Sequence, residues 1–148
     1  MKTLLVEYNA IEYSKQLIEQ AGDVTKPLIL KNVLLQRAEA KNQNGRIYPE
    51  SILMREANVY KNSFVAERRA VGELDHPESP VVNLKNVCCN VTELWFNGPS
   101  VMGNIEILST PSGNIVRELI KNNIRLGVSS RGMGSVKQIE ENTAEVQS

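Results

Sequence analysis

The chain has 148 residues, 41% of them hydrophobic, which suits one domain large enough to bury its own core. Its 17 basic and 17 acidic residues cancel, and a neutral chain argues against a dedicated nucleic-acid-binding protein. One histidine and two adjacent cysteines are too few for most zinc sites and for a disulfide scaffold. No apolar run approaches the roughly 20 residues that span a bilayer. Because Glu7 interrupts the N-terminal apolar patch, where a secretory signal would continue, we expect a cytosolic protein.

The N-terminal third is predicted to contain one helix and one buried strand. The helix is predicted over Ile11 to Ala21, and the strand over Pro27 to Gln36, which is rich in Leu, Ile and Val. We accordingly divide the chain into an N-terminal extension, residues 1–26, and a main domain, residues 27–148.

A second helix and a short strand are predicted next along the chain. A polar loop, Glu39 to Gly45, precedes Pro49, a residue suited to the first turn of a helix. The helix presents one apolar stripe, formed by Leu53, Ala57, Tyr60 and Phe64. Ala70 to Leu74 is predicted to be a strand that leads into a rigid, proline-rich loop, residues 75–80.

The strongest local signal is a β-hairpin that turns at Asn97-Gly98. The first strand is expected to place four residues on one face, with Glu93 as the exception: Val87, Cys89, Val91 and Trp95. The matching face of the return strand is expected to carry Val101, Gly103, Ile105 and Ile107.

The C-terminal third is predicted to contain a helix and a strand. Thr110 is the expected N-cap and Pro111 the first helical residue, and the helix is expected to end near Asn122. Its apolar stripe is formed by Ile115, Val116, Leu119 and Ile120. Ser135 to Ile139 is expected to form a strand within a polar tail. The order β, α, β, β-hairpin, α, β predicts an α+β domain whose mixed or antiparallel sheet curls into a barrel.

Two features could carry chemistry without reference to any family: His76 and the pair Ser129-Ser130. The histidine follows a predicted strand and lies in a rigid loop, and loops are a common place for catalytic and binding residues. The serines lie in a glycine-flanked run, 127–134, where backbone N–H groups could approach a substrate carbonyl. A serine and a histidine together can form a nucleophile and its general base. A structural histidine and a plain glycine-serine loop explain the same residues.

The acidic residues beside His76 are poorly placed to orient its imidazole. Glu73 and Asp75 share one face of an extended strand, and His76 points to the other. A third group must therefore come from elsewhere in the chain.

Three segments resemble the prohead core protein proteases of T-even-type tailed bacteriophages. In chain order, and with matching spacing, they are Asn42 to Pro49 (NQNGRIYP), Gly72 to Pro77 (GELDHP) and Gly127 to Ser135 (GVSSRGMGS). The resemblance runs from the region of Leu28 to the C-terminus and includes the hairpin that contains Trp95.

The resemblance implies a fold like that of the herpesvirus capsid maturation protease, a β-barrel-like sheet with surrounding helices. It implies a serine endopeptidase, without metal or cofactor, that acts inside the prohead in the host cytoplasm. The implied substrates are scaffold or core proteins, the major capsid precursor and the enzyme itself, cut after Glu with Leu or Ile two residues earlier. A homo-oligomer in the prohead core is compatible with this role, and neither nucleic acid nor membrane is an expected partner. The alternative is a catalytically inactive structural component of the prohead core with the same fold.

The same motifs assign roles to individual residues. By resemblance, His76 is the general base and Ser129 the nucleophile, with Ser130 as the second choice. The backbone N–H groups of Ser130, Arg131 and Gly132 are candidates for the oxyanion hole. The Arg131 guanidinium suits the substrate carboxylate, and a structural salt bridge is an equal alternative.

The C-terminal region departs from the family pattern. Family chains continue through a strand with an acidic residue, implied to be the third triad member, whereas Glu140, Glu141 and Glu145 match no motif. We therefore expect an incomplete triad and a sheet without its last strand, which leaves an exposed edge. Three explanations are open: a fragment or split gene, a naturally shortened product, or a third group supplied by another subunit.

The implied cleavage rule also matches positions within this chain. The matches are Leu5-Val6-Glu7, Leu17-Ile18-Glu19 and Ile139-Glu140-Glu141. Self-trimming would create new termini after Glu19 or Glu141.

Overall fold

The computed structural model describes residues 3–39, 45–74, 82–134, 136–140 and 143–146. The strands of this part of the chain are β1 (Thr3–Ala10), β2 (Leu28–Arg37), β3 (Arg46–Ile47), β4 (Val71–Glu73), β5 (Val87–Asn97), β6 (Ser100–Ile107), β7 (Gly127–Gly134), β8 (Val136–Glu140) and β9 (Thr143–Val146). The α-helices are α1 (Lys15–Ala21), α2 (Glu50–Tyr60) and α3 (Pro111–Lys121), with a π-helical turn at Lys61–Val65 and a 3-10 turn at Leu84–Asn86. Among the described helices, none has the length and apolar character needed to cross a membrane.

The described strands form three sheets. β2, β6, β5 and β4 lie side by side in that order as an antiparallel sheet, and β1 pairs antiparallel with β7. In the third sheet, β9 lies between β3, its parallel partner, and β8, its antiparallel partner. The predicted α+β class is confirmed. The barrel is not confirmed, because the described strands stay grouped in three separate sheets.

Four strands, β1, β3, β7 and β9, have no counterpart in the sequence prediction. β1 lies in residues to which no element was assigned, and β9 lies in the expected polar tail. β1 pairs along its whole length with β7, which is distant in sequence, whereas β9 pairs with both the neighbouring β8 and the distant β3. Val146 of β9 is only 2% exposed, so the polar tail contributes a buried side chain.

The hairpin of β5 and β6 is confirmed, but one face was predicted wrongly. β6 buries Val101, Gly103, Ile105 and Ile107, as expected. In β5 the register shifts between Val91 and Glu93, so a β-bulge exchanges the two faces of the strand. After the bulge Leu94, opposite Gly103, is buried, whereas Trp95 lies opposite Met102 and is half-buried on the other face. The bulge also explains why Glu93 broke the apolar pattern.

The first helix is shorter than predicted. It begins at Lys15, where the Ser14 hydroxyl caps it by accepting a hydrogen bond from the Leu17 N–H at 3.1 Å. Ile11 instead extends the pairing of β1 with β7 and donates its N–H to the Leu126 carbonyl at 3.0 Å. Residues of the segment predicted to be an N-terminal extension therefore pair with the main domain. The boundary at residue 26 stays a prediction.

The apolar stripes of α2 and α3 face two core clusters. Thr110 caps α3 as predicted, since its hydroxyl accepts from the Gly113 N–H at 3.0 Å and donates to the Val87 carbonyl. We call the first cluster the α3-side core: Ala21, Leu28, Leu30, Val33, Cys88, Ile105, Ile107, Val116 and Ile120. We call the second the α2-side core: Ala38, Leu53, Ala57, Val65, Ala70, Leu94 and Val101. The two outer members of the stripes, Phe64 and Ile115, are exposed.

Candidate active site

The serine pair lies on a strand. β7 spans the whole glycine-flanked run and pairs antiparallel with β1, with Ser129 opposite Tyr8 and Ser130 opposite Glu7. A strand this rich in Gly and Ser has little side-chain packing of its own to hold it extended. Its conformation therefore depends on the pairing with β1, a strand from the N-terminal segment.

The pairing determines which way the backbone N–H groups of β7 point. The Ile11 N–H bonds to the carbonyl of Leu126, its pairing partner, and bonded pairs alternate along an antiparallel ladder. Without a register shift in this ladder, Ser130 and Gly132 direct their N–H groups toward β1. Ser129 and Arg131 direct theirs to the opposite edge of the strand.

Core packing and a tyrosine fix the entry into β7. Leu126 and Val128 are half-buried and pack against the α3-side core. The Leu126 N–H donates to the Tyr13 hydroxyl at 2.8 Å, which ties the start of the strand to the N-terminal segment. Ser129 is half-buried, and since neighbouring residues of a strand point to opposite faces, it faces away from the core that Val128 contacts.

The strand that precedes His76 is anchored to the same core. β4 is an edge strand, and after its last residue the Leu74 N–H donates to the Asn86 carbonyl at 2.8 Å. Leu74 is half-buried against the α3-side core, which Val128 also contacts. His76 itself lies outside the described residues, as does Asp75. The structure thus brings Leu74 and Val128, close in sequence to His76 and Ser129 respectively, to one cluster.

The first motif is held by a residue that the sequence analysis did not single out, Glu39. Its N–H donates to the Tyr48 carbonyl at 2.8 Å, and its Oε1 accepts from the Glu50 N–H at 2.6 Å. Pro49, at the N-cap of α2, makes no side-chain cap, so Glu39 supplies the acceptor that the helix start lacks. The sequence did indicate the need for such an acceptor, because proline has no side-chain group that can cap a helix. Arg46 and Ile47 then pair as β3 with β9.

The two cysteines are free thiols beside the strand that leads to His76. Hydrogen bonding from Cys89 holds the pKa of the Cys88 thiol below its usual value, and the same contact, together with burial, raises the pKa of Cys89. Burial, and next the neighbouring Cys89, raise the pKa of Tyr60 to about 12. Within the described ranges, no group of three His, Cys, Asp or Glu side chains could hold a metal ion.

A pocket of about 440 Å³ lies elsewhere, between the end of α1 and α3. Its buried charged lining residue, Arg117, directs its guanidinium to four backbone carbonyls, those of Gln20, Ala21, Asp23 and Lys26. Because these carbonyls occupy the guanidinium, Arg117 is not available to a ligand, and the other lining cation, Lys121, is exposed. The pocket lacks Ser129 and Leu74 among its lining residues.

Comparisons with known proteins identify the fold first. The structure of the capsid assembly protease of bacteriophage T4 matches with a TM-score of 0.80, over 99% of this chain and 90% of that one, at 24% identity. At this identity the match defines the fold: an α+β domain of the capsid assembly protease type.

The family follows from the sequence comparisons. The family model described as prohead core protein serine protease matches residues 1–148, and the chain belongs to this family. The prohead core protein protease of Enterobacteria phage T4 is 32% identical over 120 residues, which cover 78% of this chain. The aligned region is 56% of that relative, so the chain spans a little over half of its length.

Proposed function

We propose that this chain is a serine endopeptidase of phage capsid maturation, with Ser129 as the nucleophile and His76 as its general base. One observation carries the residue assignment: Leu74 and Val128 pack against the same α3-side core. His76 lies two residues after Leu74, and Ser129 directly follows Val128. Two chain segments that leave one core cluster this close to their functional residues can bring a serine and an imidazole within hydrogen-bonding reach.

The strand geometry sharpens the proposal for the oxyanion hole. The candidates were the backbone N–H groups of Ser130, Arg131 and Gly132. Those of Ser130 and Gly132 point toward β1, which makes them ladder donors. The N–H of Arg131 points to the opposite edge and is the better candidate to stabilise a developing oxyanion. The Arg131 guanidinium remains our proposed partner for a substrate carboxylate.

The proposed substrates are scaffold or core proteins and the major capsid precursor, cut after Glu inside the prohead. This part of the proposal is supported by membership of the prohead core protease family. Cleavage of the chain itself is the finer proposal, and its candidate positions differ in structure. Glu7 lies in β1, paired with Ser130, and Glu19 lies in α1. Glu141 is outside the described residues.

Self-cleavage at the two N-terminal matches requires local unfolding. Peptidases act on extended, accessible chain, whereas α1 is hydrogen-bonded and its Leu17 packs against the α3-side core. Release of β1 would also remove the partner of the serine strand. We therefore propose that trimming after Glu19 takes place only after α1 has locally unfolded. A mass-spectrometric time course of the intact chain, with Ser129→Ala as control, shows the order in which new termini appear.

Labelling with a fluorophosphonate probe tests the catalytic assignment. We expect covalent labelling of the wild-type chain at Ser129, loss of labelling in Ser129→Ala, and strongly slowed labelling in His76→Ala. Ser130→Ala is the matched control, because it removes the neighbouring hydroxyl and should keep the label. Labelling that depends on Ser130 would reassign the nucleophile. A folded wild-type chain that is never labelled would support the inactive structural role in the prohead core.

A further inference from the structure

Gly72 and Cys89 lie directly opposite each other where β4 pairs with β5. A Cβ atom built on Gly72 would lie 2.6 Å from the Cys89 Sγ, closer than real Cβ contacts come. The backbone does not demand glycine here, since the described glycines with positive φ are Gly45 and Gly98. It is the sulfur atom that requires a glycine at position 72.

This pair lies at the point where the regular pairing of β4 ends. The register shifts between Gly72 and Glu73, and Glu73 then lies opposite Val87. One residue later the Leu74 N–H bonds to the Asn86 carbonyl. The contact between Gly72 and Cys89 therefore precedes the exit of the chain toward His76 by only a few residues.

The Cys89 sulfur has little freedom to move away from β4. The residue is half-buried, its thiol contacts that of Cys88, and Tyr60 of α2 lies next to it. Its raised pKa keeps the thiol protonated at neutral pH, and a protonated thiol is a poor nucleophile. These properties suit a packing group better than a reactive cysteine.

We propose that Gly72 and Cys89 form a positioning pair in which the Cys89 sulfur fills the place of a side chain on β4. The sulfur thereby fixes the position of β4 against β5, and with it the point from which the chain continues toward His76. The catalytic consequence rests on the proposed function, whereas the effect on the surroundings of His76 does not. An added methyl group on Gly72 must push β4 away from β5, and a displacement of about 1 Å in a catalytic group can cost a hundredfold in rate.

Three variants and one spectroscopic signal test the pair. The chain has a single histidine, so the imidazole proton resonances in its NMR spectrum belong to His76 without further assignment. Gly72→Ala should shift the titration midpoint of this signal and slow fluorophosphonate labelling by tenfold or more. The double variant Gly72→Ala/Cys89→Ala exchanges the sulfur for the new methyl at nearly constant volume. It should return the midpoint to the wild-type value and the labelling rate to within threefold. Cys89→Ala alone leaves a gap instead of a clash and should shift the midpoint by less than Gly72→Ala does.

Gly103→Ala is the matched steric control. Its Cβ would lie 2.9 Å from both the Glu93 carbonyl and a methyl group of Leu35, on the same sheet but away from β4. It should leave the His76 midpoint unchanged, and Cys89→Ala should not rescue its stability. If Gly72→Ala does not fold, Cys89→Met imposes the same displacement from the side of β5 and should shift the midpoint instead.

The outcomes separate this proposal from the proposed function. A wild-type chain without labelling contradicts the peptidase assignment, yet the His76 titration still reports on the pair. An unchanged midpoint in folded Gly72→Ala overturns the positioning role. So does a double variant that stays displaced or does not fold while Cys89→Ala does.

Discussion

The guanidinium of Arg117 donates a hydrogen bond to the backbone carbonyl of Ala21, which joins α3 to the C-terminal end of α1. The same group bonds to the carbonyls of Gln20, Asp23 and Lys26 at 3.0 to 3.3 Å. The last carbonyls of a helix lack intrahelical partners, and a positive charge there is favourable. Since the residue is only 8% exposed, Arg117 connects α1, the turn after it and α3 from inside the molecule.

Replacement of Arg117 should therefore be costly. We expect Arg117→Met to lower the free energy of unfolding by about 3 kcal/mol, because it keeps the apolar stem but removes four hydrogen bonds, one of them to the buried Ala21 carbonyl. Lys121→Met, an exposed cation of the same helix, should change it by less than about 0.5 kcal/mol. Urea denaturation measures both. A loss below about 1 kcal/mol in Arg117→Met would show that these bonds carry little net stability.

Substitution of Gly113, in α3, by alanine should change the free energy of unfolding in the direction opposite to that usual for a helix. Glycine to alanine within a helix ordinarily stabilises by about 1 kcal/mol. Here the new Cβ would lie 1.8 Å from the Leu108 carbonyl oxygen and 3.0 Å from that of Cys88, both rigid backbone atoms. We expect Gly113→Ala to destabilise by about 3 kcal/mol or more, because α3 must move off the sheet. Gly22→Ala, whose nearest contact is 3.4 Å, is the control for thermal unfolding and should stay near the wild-type midpoint.

The elements that were predictable from sequence are those whose signal is local. The turn at Asn97-Gly98, the cap at Thr110 and the apolar stripes of α2 and α3 each arise within a few residues. β1 and β7 escaped prediction because they pair with each other across most of the chain, and β3 because its partner β9 is distant in sequence. Trp95 was placed on the wrong face because a bulge inserts one residue, and alternation cannot reveal where the alternation itself changes phase.

For the candidate site, the motifs indicate which residues to propose as reactive but not what holds those residues in place. Ser129 could be chosen from sequence, whereas its place on a strand paired with β1 could not. Glu39 and Arg117 act on backbone groups far along the chain, and such contacts leave no periodic pattern. Gly72 looked like an ordinary motif glycine until the Cys89 sulfur was seen opposite it.

The cap that Glu39 provides to α2 gives a third prediction. Glu39→Ala should lower the free energy of unfolding by about 1 kcal/mol, since it removes the acceptor of the Glu50 N–H at the helix start. Glu39→Gln retains an acceptor and should lose less than half of that amount. Glu56→Ala, an exposed carboxylate of the same helix, controls for the loss of charge in urea denaturation. Equal losses in Glu39→Ala and Glu56→Ala would show that the cap contributes nothing specific.

Because of Tyr60, the free energy of unfolding should fall as the pH rises through the alkaline range. Its pKa is raised from 10.0 to about 12 in the folded chain, mainly by burial. Above pH 10 the unfolded chain releases this proton more readily than the folded chain does, so tyrosinate formation favours unfolding. The stability that the protonated Tyr60 contributes is fully present below pH 10 and is lost as the pH rises to about 12. At 1.4 kcal/mol per pKa unit, the loss in the free energy of unfolding reaches up to about 3 kcal/mol.

Tyr60→Phe isolates this effect, because the phenyl ring can keep the stacking contact with Phe64, whose ring centroid lies 5.4 Å away. Urea denaturation of both chains at intervals between pH 8 and pH 11 should show parallel curves below pH 10. Above pH 10 the wild-type chain should lose stability more steeply than the variant. Absorbance at 295 nm should show that the variant lacks the tyrosine that ionises last. Equal slopes above pH 10 would mean that the Tyr60 hydroxyl is not desolvated by α2 and the strands beneath it.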